Sequence, residues 1–229
     1  MTLKKAPLRL GLMCTIAPDN LIEFIKAVLE RHPGISLKIT DAPARQLEDD
    51  LLAGELEVAI YATPGKPQDG RLHYIPLYEE EFVAVAPYGH PICASSVISI
   101  KALGGQRYLS RINCEFGDSI DHVFDEHQVE WPTVYESERD DWILAMVAAG
   151  LGLAFMPISS VKHAGVEARP LSPGFSRRVC LVTVRGRPRS PAVGALVTEA
   201  MRSAWQAQPA LAVRDMMEGG ADNPKAGAS

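Results

Sequence analysis

The sequence predicts an α/β protein built as two Rossmann-like lobes. Three observations predict it. Residues 8–61 alternate strand, helix, strand, helix, strand, the order that makes a parallel sheet with right-handed crossovers. Residues 108–156 repeat the alternation. Between the two sets, the breaker Pro87-Tyr88-Gly89-His90-Pro91 marks where the chain leaves the first lobe. The 229 residues suit one large domain or two small lobes, since about 100 residues already enclose a core.

Each element has a local reason. Residues 8–14 (LRLGLMC) form a short apolar run, read as a buried strand. Pro18 sits where a first-turn proline is tolerated. Leu21, Phe24, Ile25, Val28 and Leu29 then trace the stripe of an amphipathic helix, which His32-Pro33-Gly34 ends. Residues 35–40 alternate as a strand. Residues 43–52 return to helical spacing at Leu47, Leu51 and Leu52, with Gly54 as the stop. Residues 56–61 (LEVAIY) are the third strand. After the Pro- and Gly-rich loop 63–70, residues 74–77 and 82–86 are expected as two strands without a helix between them. The trio Glu79-Glu80-Glu81 is expected as a solvated turn rather than a cation site.

In the second lobe, residues 108–112 predict a strand, 116–127 a helix, and 134–135 another strand. Ser137 with Asp140 caps a helix running to Gly150, and residues 151–156 form a strand stopped by Pro157. Residues 179–184 are a strand returning to the first lobe, and 192–205 the last helix. Past Pro209 the chain is rich in Ala, Gly, Asp and Pro, so a weakly ordered tail is expected. These limits assign 8–86 with 187–206 to the first lobe, 87–186 to the second, and 207–229 to the tail.

Composition narrows the function classes. Lys and Arg (23) are outnumbered by Asp and Glu (28), for a net charge of −5, which argues against DNA contact by this chain itself. The apolar run 143–158 is broken by Gly150, Gly152 and Pro157 and is too short to span a bilayer, so no membrane partner is expected. The N-terminus carries no secretory signal pattern, and Cys14, Cys93, Cys114 and Cys180 form no C-x-x-C pair; both fit a reducing cytoplasm. No G-x-S-x-G, H-E-x-x-H or phosphate loop occurs. His122 and His127 are five apart and share no helix face, so no enzyme activity, metal or cofactor is expected.

Four segments carry a family resemblance: LRLGLMCTIAP at the start, GELEVAIY at 54–61, PLYEEEFVAVAPYGHPIC at 76–93 and AMVAAGLGLAFMP at 145–157. Together, over roughly residues 8–205, the chain resembles the effector-binding domain of LysR-type transcriptional regulators. The resemblance implies the type 2 periplasmic-binding-protein fold, two lobes joined by two crossover strands. Members of that family begin with a winged helix-turn-helix domain and a linker helix, whereas residues 1–7 alone precede the first strand here. The expectation is a regulatory domain without its DNA reader, as a truncated piece or a standalone relative, with DNA reached only through that missing domain.

Lobes of this kind place ligands in a cleft outside the carboxyl ends of the strands, where helix N-termini offer peptide N–H groups to a small anion. Thr15 and Ile16, before the first helix, are the first-lobe candidates; Thr15 either caps the helix or also donates to a ligand. Tyr61 and Thr63 end the third strand and face the same cleft, or are a buried tyrosine and a loop threonine. The second-lobe corner supplies Ser110, Arg111, Asn113 and Phe116, with Arg111 either clamping a carboxylate bidentately or remaining solvated. Ser137 contacts the cleft or only caps its helix. Cys114, beside a helix N-terminus and Arg111, is placed similarly to the peroxidatic cysteine of the peroxide-sensing branch, or merely lines the pocket. That branch has a second cysteine a few residues on; here the next is Cys180.

The resemblance therefore implies an effector sensor. A small anionic metabolite, a carboxylate or aromatic acid, would bind between the lobes and bias an oligomer holding DNA-binding domains. The partner state that the resemblance implies is a homodimer, or a tetramer in the full-length protein, using the exposed faces of helices 18–32 and 116–127. The alternatives are a standalone solute-binding protein of the same fold and a redox sensor acting through Cys114.

Overall fold

Parallel pairing of β1 (Ala6–Met13) with β2 (Ile35–Ala42) on one side and β3 (Val58–Thr63) on the other begins the first lobe. The computed structural model describes residues 6–63, 69–112 and 117–205. Parallel neighbours require crossovers, supplied by α1 (Asp19–Arg31) and α2 (Ala44–Ala53). Helix α1 buries Leu21, Phe24 and Val28, the stripe read from the sequence, and each such side chain stabilises by roughly 1.5–3 kcal/mol. Gly54 ends α2 at φ 83°, a left-handed position that suits glycine.

The remaining elements are β4 (Leu72–Pro87), β5 (Ile98–Ser99), β6 (Tyr108–Arg111), α3 (Gly117–Glu126), β7 (Thr133–Ser137), α4 (Asp140–Ala148), β8 (Ala154–Pro157), β9 (Val166–Val184) and α5 (Pro191–Arg202). The main sheet runs β2-β1-β3-β9-β4-β8, with β5 on β9. A parallel pair, β6-β7, meets β8 through a bridge at Tyr108 and Leu153.

Two expectations are corrected. Residues 74–77 and 82–86 belong to one 16-residue strand, β4, and the acidic trio lies inside it instead of in a solvated turn. Each glutamate has a partner across the ladder, Glu79 with Arg178, Glu80 with Arg177 and Glu81 with Ser176, so no turn is needed to solvate them. Pro76, which has no N–H to give, coincides with a register shift that β4 absorbs without ending. The returning strand expected at 179–184 is the last part of β9, 19 residues long.

These two strands cross from lobe to lobe. Leu72, Leu77 and Tyr78 of β4, and residues 179–182 of β9, pack in the first-lobe core. Beyond the glutamates β4 is buried on both faces. Phe82, Ala84 and Ala86 enter one apolar cluster with Phe124 and Phe155, while Val83 and Val85 enter another with Leu144 and Val147. The cores thus change over near residues 79–81 and 176–178, earlier than the sequence limits at 86 and 186.

The Gly-Leu-Gly of the fourth segment has a physical reason. Gly150 follows α4 at φ 76°, and a Cβ at Gly152 would stand 2.7 Å from the Arg107 carbonyl oxygen. Backbone cannot retreat as a side-chain tip can. Gly152→Ala is expected to destabilise the protein by about 1–3 kcal/mol in urea unfolding, with Gly70→Ala, which meets nothing, close to neutral.

Glu199 of α5 is buried against Arg31, His32 and Arg202, tying α5 to the end of α1. Burial pushes its carboxyl up, but the hydrogen bond to Arg31, the nearby His32 ring and the charges of Arg31 and Arg202 outweigh that and hold it below the usual carboxylate range. A lowered folded-state pKa gives stability that is present above the ordinary carboxylate value and lost as pH falls through the folded one. Melting temperature followed from pH 7 to 3 is expected to fall less steeply in Glu199→Gln than in the parent, from a lower starting point.

Candidate functional site

The acidic trio and its arginine partners lie where the two crossing strands pass between the lobes. Strand alternation sends Glu79 and Arg178 outward, where they pair at 2.8 Å on the surface, and Glu80 and Arg177 inward, where both side chains are fully buried. Arg177 Nε donates to Glu80 Oε1 at 2.8 Å and Nη2 stands 2.6 Å from the same oxygen. Its other face serves the first lobe: Nη1 donates to Thr15 Oγ1 and Nη2 to the Thr15 carbonyl, both at 2.9 Å. The second carboxylate oxygen of Glu80 accepts from the Ser159 hydroxyl, in the 3-10 turn Ile158–Ser160 of the second lobe. The guanidinium also lies over the Phe82 ring, 5.6 Å from its centroid.

Thr15 and Ser159, which these bonds hold, both line a cleft of about 320 Å³, a volume suited to a small molecule. Cys14, Thr15, Ile16, Ala17, Pro18 and Asp19 form the first-lobe wall. Asp140, Asp141, Leu144, Ser159, Ser160, Lys162 and His163 form the other. An exposed ion pair, Lys162 with Asp19 at 3.4 Å, joins the two walls. A separate hollow of about 380 Å³, on the first lobe beside Trp205 and Tyr78, has no such two-lobe wall.

Of the expected site residues, Thr15 and Ile16 line the cleft. Thr15 does not cap α1, whose N-cap is Pro18 without a side-chain bond; its hydroxyl is turned to Arg177. Tyr61 does not face the cleft. It is fully buried in the first-lobe core, its hydroxyl donating to Glu48 at 3.0 Å, and burial together with the Tyr74 contact pushes its pKa far up. Thr63, half-buried, pairs with Arg178 at the end of β3, and Ser110, half-buried, with Glu136; neither lines the cleft. Arg111 is neither solvated nor aimed at the cleft: it is buried and clasps Asp140 with Nε at 2.6 Å and Nη2 at 3.1 Å. The bidentate geometry expected for a ligand carboxylate is realised on one from the chain itself. Ser137 does not cap α4, whose N-cap is Arg139, but accepts the Arg139 N–H at 3.1 Å. Asn113, Cys114 and Phe116 lie outside the described residues.

Residue-level reading missed Glu80, Arg177, Ser159, Lys162 and His163. Only Glu80 left a trace, as part of an acidic run inside an apolar context. Among the described residues no helix is long and apolar enough to cross a membrane, and no His, Cys, Asp or Glu group has metal-binding geometry.

The sequence model of the LysR substrate binding domain matches residues 3–205. The chain belongs to that family. Among curated relatives, a probable hydrogen peroxide-inducible genes activator of Streptomyces viridosporus is 28% identical over 217 residues, covering 91% of this chain and 68% of its own length. The transcriptional activator protein LysR of Escherichia coli is 26% identical over 196 residues, 84% of this chain and 62% of its own. The chain spans 63% of the length of a further relative, the HTH-type regulator YybE of Bacillus subtilis, at 23% identity over 80% of this chain. In structure, the effector binding domain of QuiR in complex with shikimate superposes with TM-score 0.74 at 21% identity, over 86% of this chain and 96% of that one. The reduced OxyR regulatory domain of Pseudomonas aeruginosa gives 0.72 at 28%, over 88% and 100%. The chain is thus a LysR-type effector-binding domain, with the fold of the type 2 periplasmic binding proteins.

Removing one partner of the buried Glu80–Arg177 pair strands a charge. Arg177→Met is expected to lower unfolding free energy by about 3–5 kcal/mol, while Arg177→Met with Glu80→Leu recovers most of it. Urea unfolding of the three proteins checks both outcomes.

Proposed function

We propose that this domain senses a small effector held between its lobes and works within a longer LysR-type transcriptional regulator. In that protein, the change in lobe angle on binding would bias an oligomer that carries DNA-binding domains. The observation that carries this reading is the cleft itself, walled by residues 14–19 of one lobe and by residues of α4 and 159–163 of the other, in a chain of this family. The complex of QuiR with shikimate supports a small-molecule occupant.

The charges on the walls refine the anionic expectation. Arg111 and Arg177 already serve Asp140 and Glu80, so a ligand carboxylate would rest on Lys162 and on peptide N–H groups near residues 15–17. On the same walls Asp19, paired with the exposed Lys162, and Asp141, paired with the exposed Arg139, offer carboxylates that an ammonium group could share. We therefore favour an effector bearing both a carboxylate and an amine over a simple acid.

A second reading, peroxide sensing, draws on the name of the Streptomyces relative. Cys93 and Cys180 are poorly placed for it, because both are buried and burial pushes their thiols up, Cys180 to about 11; that leaves the exposed Cys14 and Cys114, of which the family resemblance favours Cys114.

Thermal unfolding with matched sets of carboxylates, amines and amino acids tests the first reading. A ligand at a hundredfold excess over its Kd is expected to raise Tm by roughly 5–10 °C. Asp141→Lys should weaken an amine-bearing ligand and spare a simple acid. Peroxide treatment followed by peptide mass spectrometry tests the second: oxidation of Cys114 ahead of the other thiols supports it, and equal oxidation of all four sinks it.

A further inference from the structure

Two hydroxyls that line opposite walls of the cleft are fastened to the same buried ion pair. Thr15, on the first-lobe wall, holds Arg177 through its hydroxyl and its carbonyl; Ser159, on the second-lobe wall, holds Glu80. All four side chains are buried. The chain of contacts Thr15–Arg177–Glu80–Ser159 therefore runs from one wall to the other beneath the cleft, and its middle link is anchored on both crossing strands. Apart from it, the walls are joined at the cleft mouth by the Asp19–Lys162 pair, whose side chains are well exposed and whose contribution is small.

We propose that Arg177 and Glu80 are positioning residues that set how far apart the two walls stand. Neither lines the cleft. They act through Thr15 and Ser159, which stay at their places only while the ion pair between them is intact. Because the links are in series, breaking any one releases the wall beyond it, and breaking a second adds little. An effector that bridged the walls would work against, or with, this connection, so the same four residues would govern its affinity. That last consequence rests on the effector reading above; the wall spacing itself does not.

Cys14 offers a reporter, since its exposed thiol lies on the first-lobe wall beside Thr15. The intact chain is treated with iodoacetamide, which is small, and with N-phenylmaleimide, which is bulky. Cys14 modification is quantified by peptide mass spectrometry, and thermal unfolding is recorded in parallel. The ratio of bulky to small labelling reads cleft width independently of thiol reactivity. Ser159→Ala and Glu80→Gln are each expected to raise the ratio several-fold, and Thr15→Val, which removes the hydroxyl bond to Arg177 but keeps the carbonyl one, to raise it less, whereas Thr15→Ser, which keeps the hydroxyl, leaves it at the parent value. Ser159→Ala combined with Thr15→Val should raise it no further than the larger single change. Tyr61→Phe removes a buried first-lobe hydroxyl outside the chain of contacts and should leave the ratio unchanged.

An unchanged ratio in folded Ser159→Ala would overturn the proposal. So would single effects that multiply in the double variant, or a rise in Tyr61→Phe equal to that in Ser159→Ala. If Glu80→Gln does not fold, the Ser159 and Thr15 variants decide alone. No effector enters the assay, so a failed effector screen leaves this result standing, and a failed labelling result leaves the effector reading standing.

Discussion

Burying a carboxylate and a guanidinium side by side removes both from water, at a cost that their mutual attraction recovers only when the remaining polar atoms also find partners. Glu80 and Arg177 meet that condition, through Ser159 on one side and Thr15 on the other. Such a pair adds little stability over apolar residues of the same size. What it supplies is register. A slip of β9 by one residue would turn Arg177 to the outer face and leave the Glu80 charge buried without its cation. The pairing of two strands of 16 and 19 residues is thereby pinned at the one place where their apolar contacts give least guidance, between two cores.

That location matters for how the lobes relate. β4 and β9 each spend part of their length in one core and part in another, so neither lobe owns its own last strand. Two continuous strands joining the lobes would bend most easily where apolar packing is interrupted. The residues around 79–81 and 176–178 lie between clusters, and polar contacts replace apolar ones there. Polar contacts are directional, so they define an angle more sharply than apolar packing does.

The parts of this fold that were legible from sequence were those encoded locally. The apolar stripe of α1, the glycine stop of α2 and the breaker after β4 each depend on residues within a few positions of one another. Features that depend on distant partners were not legible. Glu80 and Arg177 are 97 positions apart, and an acidic trio without its cations reads as a solvated turn. Residues 166–178 contain Pro170, Pro173, Gly174 and several charges, which mask a strand; the ladder tolerates Pro173 and Gly174 because residues 171–174 step out of register with β4, where Leu171 and Ser172 pair with β5 instead, and Pro170 sits at the edge of that shift, opposite Val83. Strand β3 is buried along nearly its whole length, so no alternation revealed that Tyr61 faces the core. Arg111 misled for a related reason: Asp140, which clasps it, lies 29 positions on, at the start of another helix.

The charge of the whole chain and the charge of the cleft have a common logic. A net charge of −5 describes the surface, but the cleft depends on which charges are already matched. Arg111, Arg177 and Lys162 each stand against an aspartate or glutamate, so a bare anion entering the cleft would have to compete with a carboxylate already in place. Two of those competitions are lost in advance, because Arg111 and Arg177 are buried and separating them strands a charge. The third is open: the Asp19–Lys162 pair is exposed and weak, and a ligand with both signs of charge could take each partner at once. A molecule of that kind replaces a contact between the lobes with two contacts to itself, which is the exchange a sensor of lobe position requires.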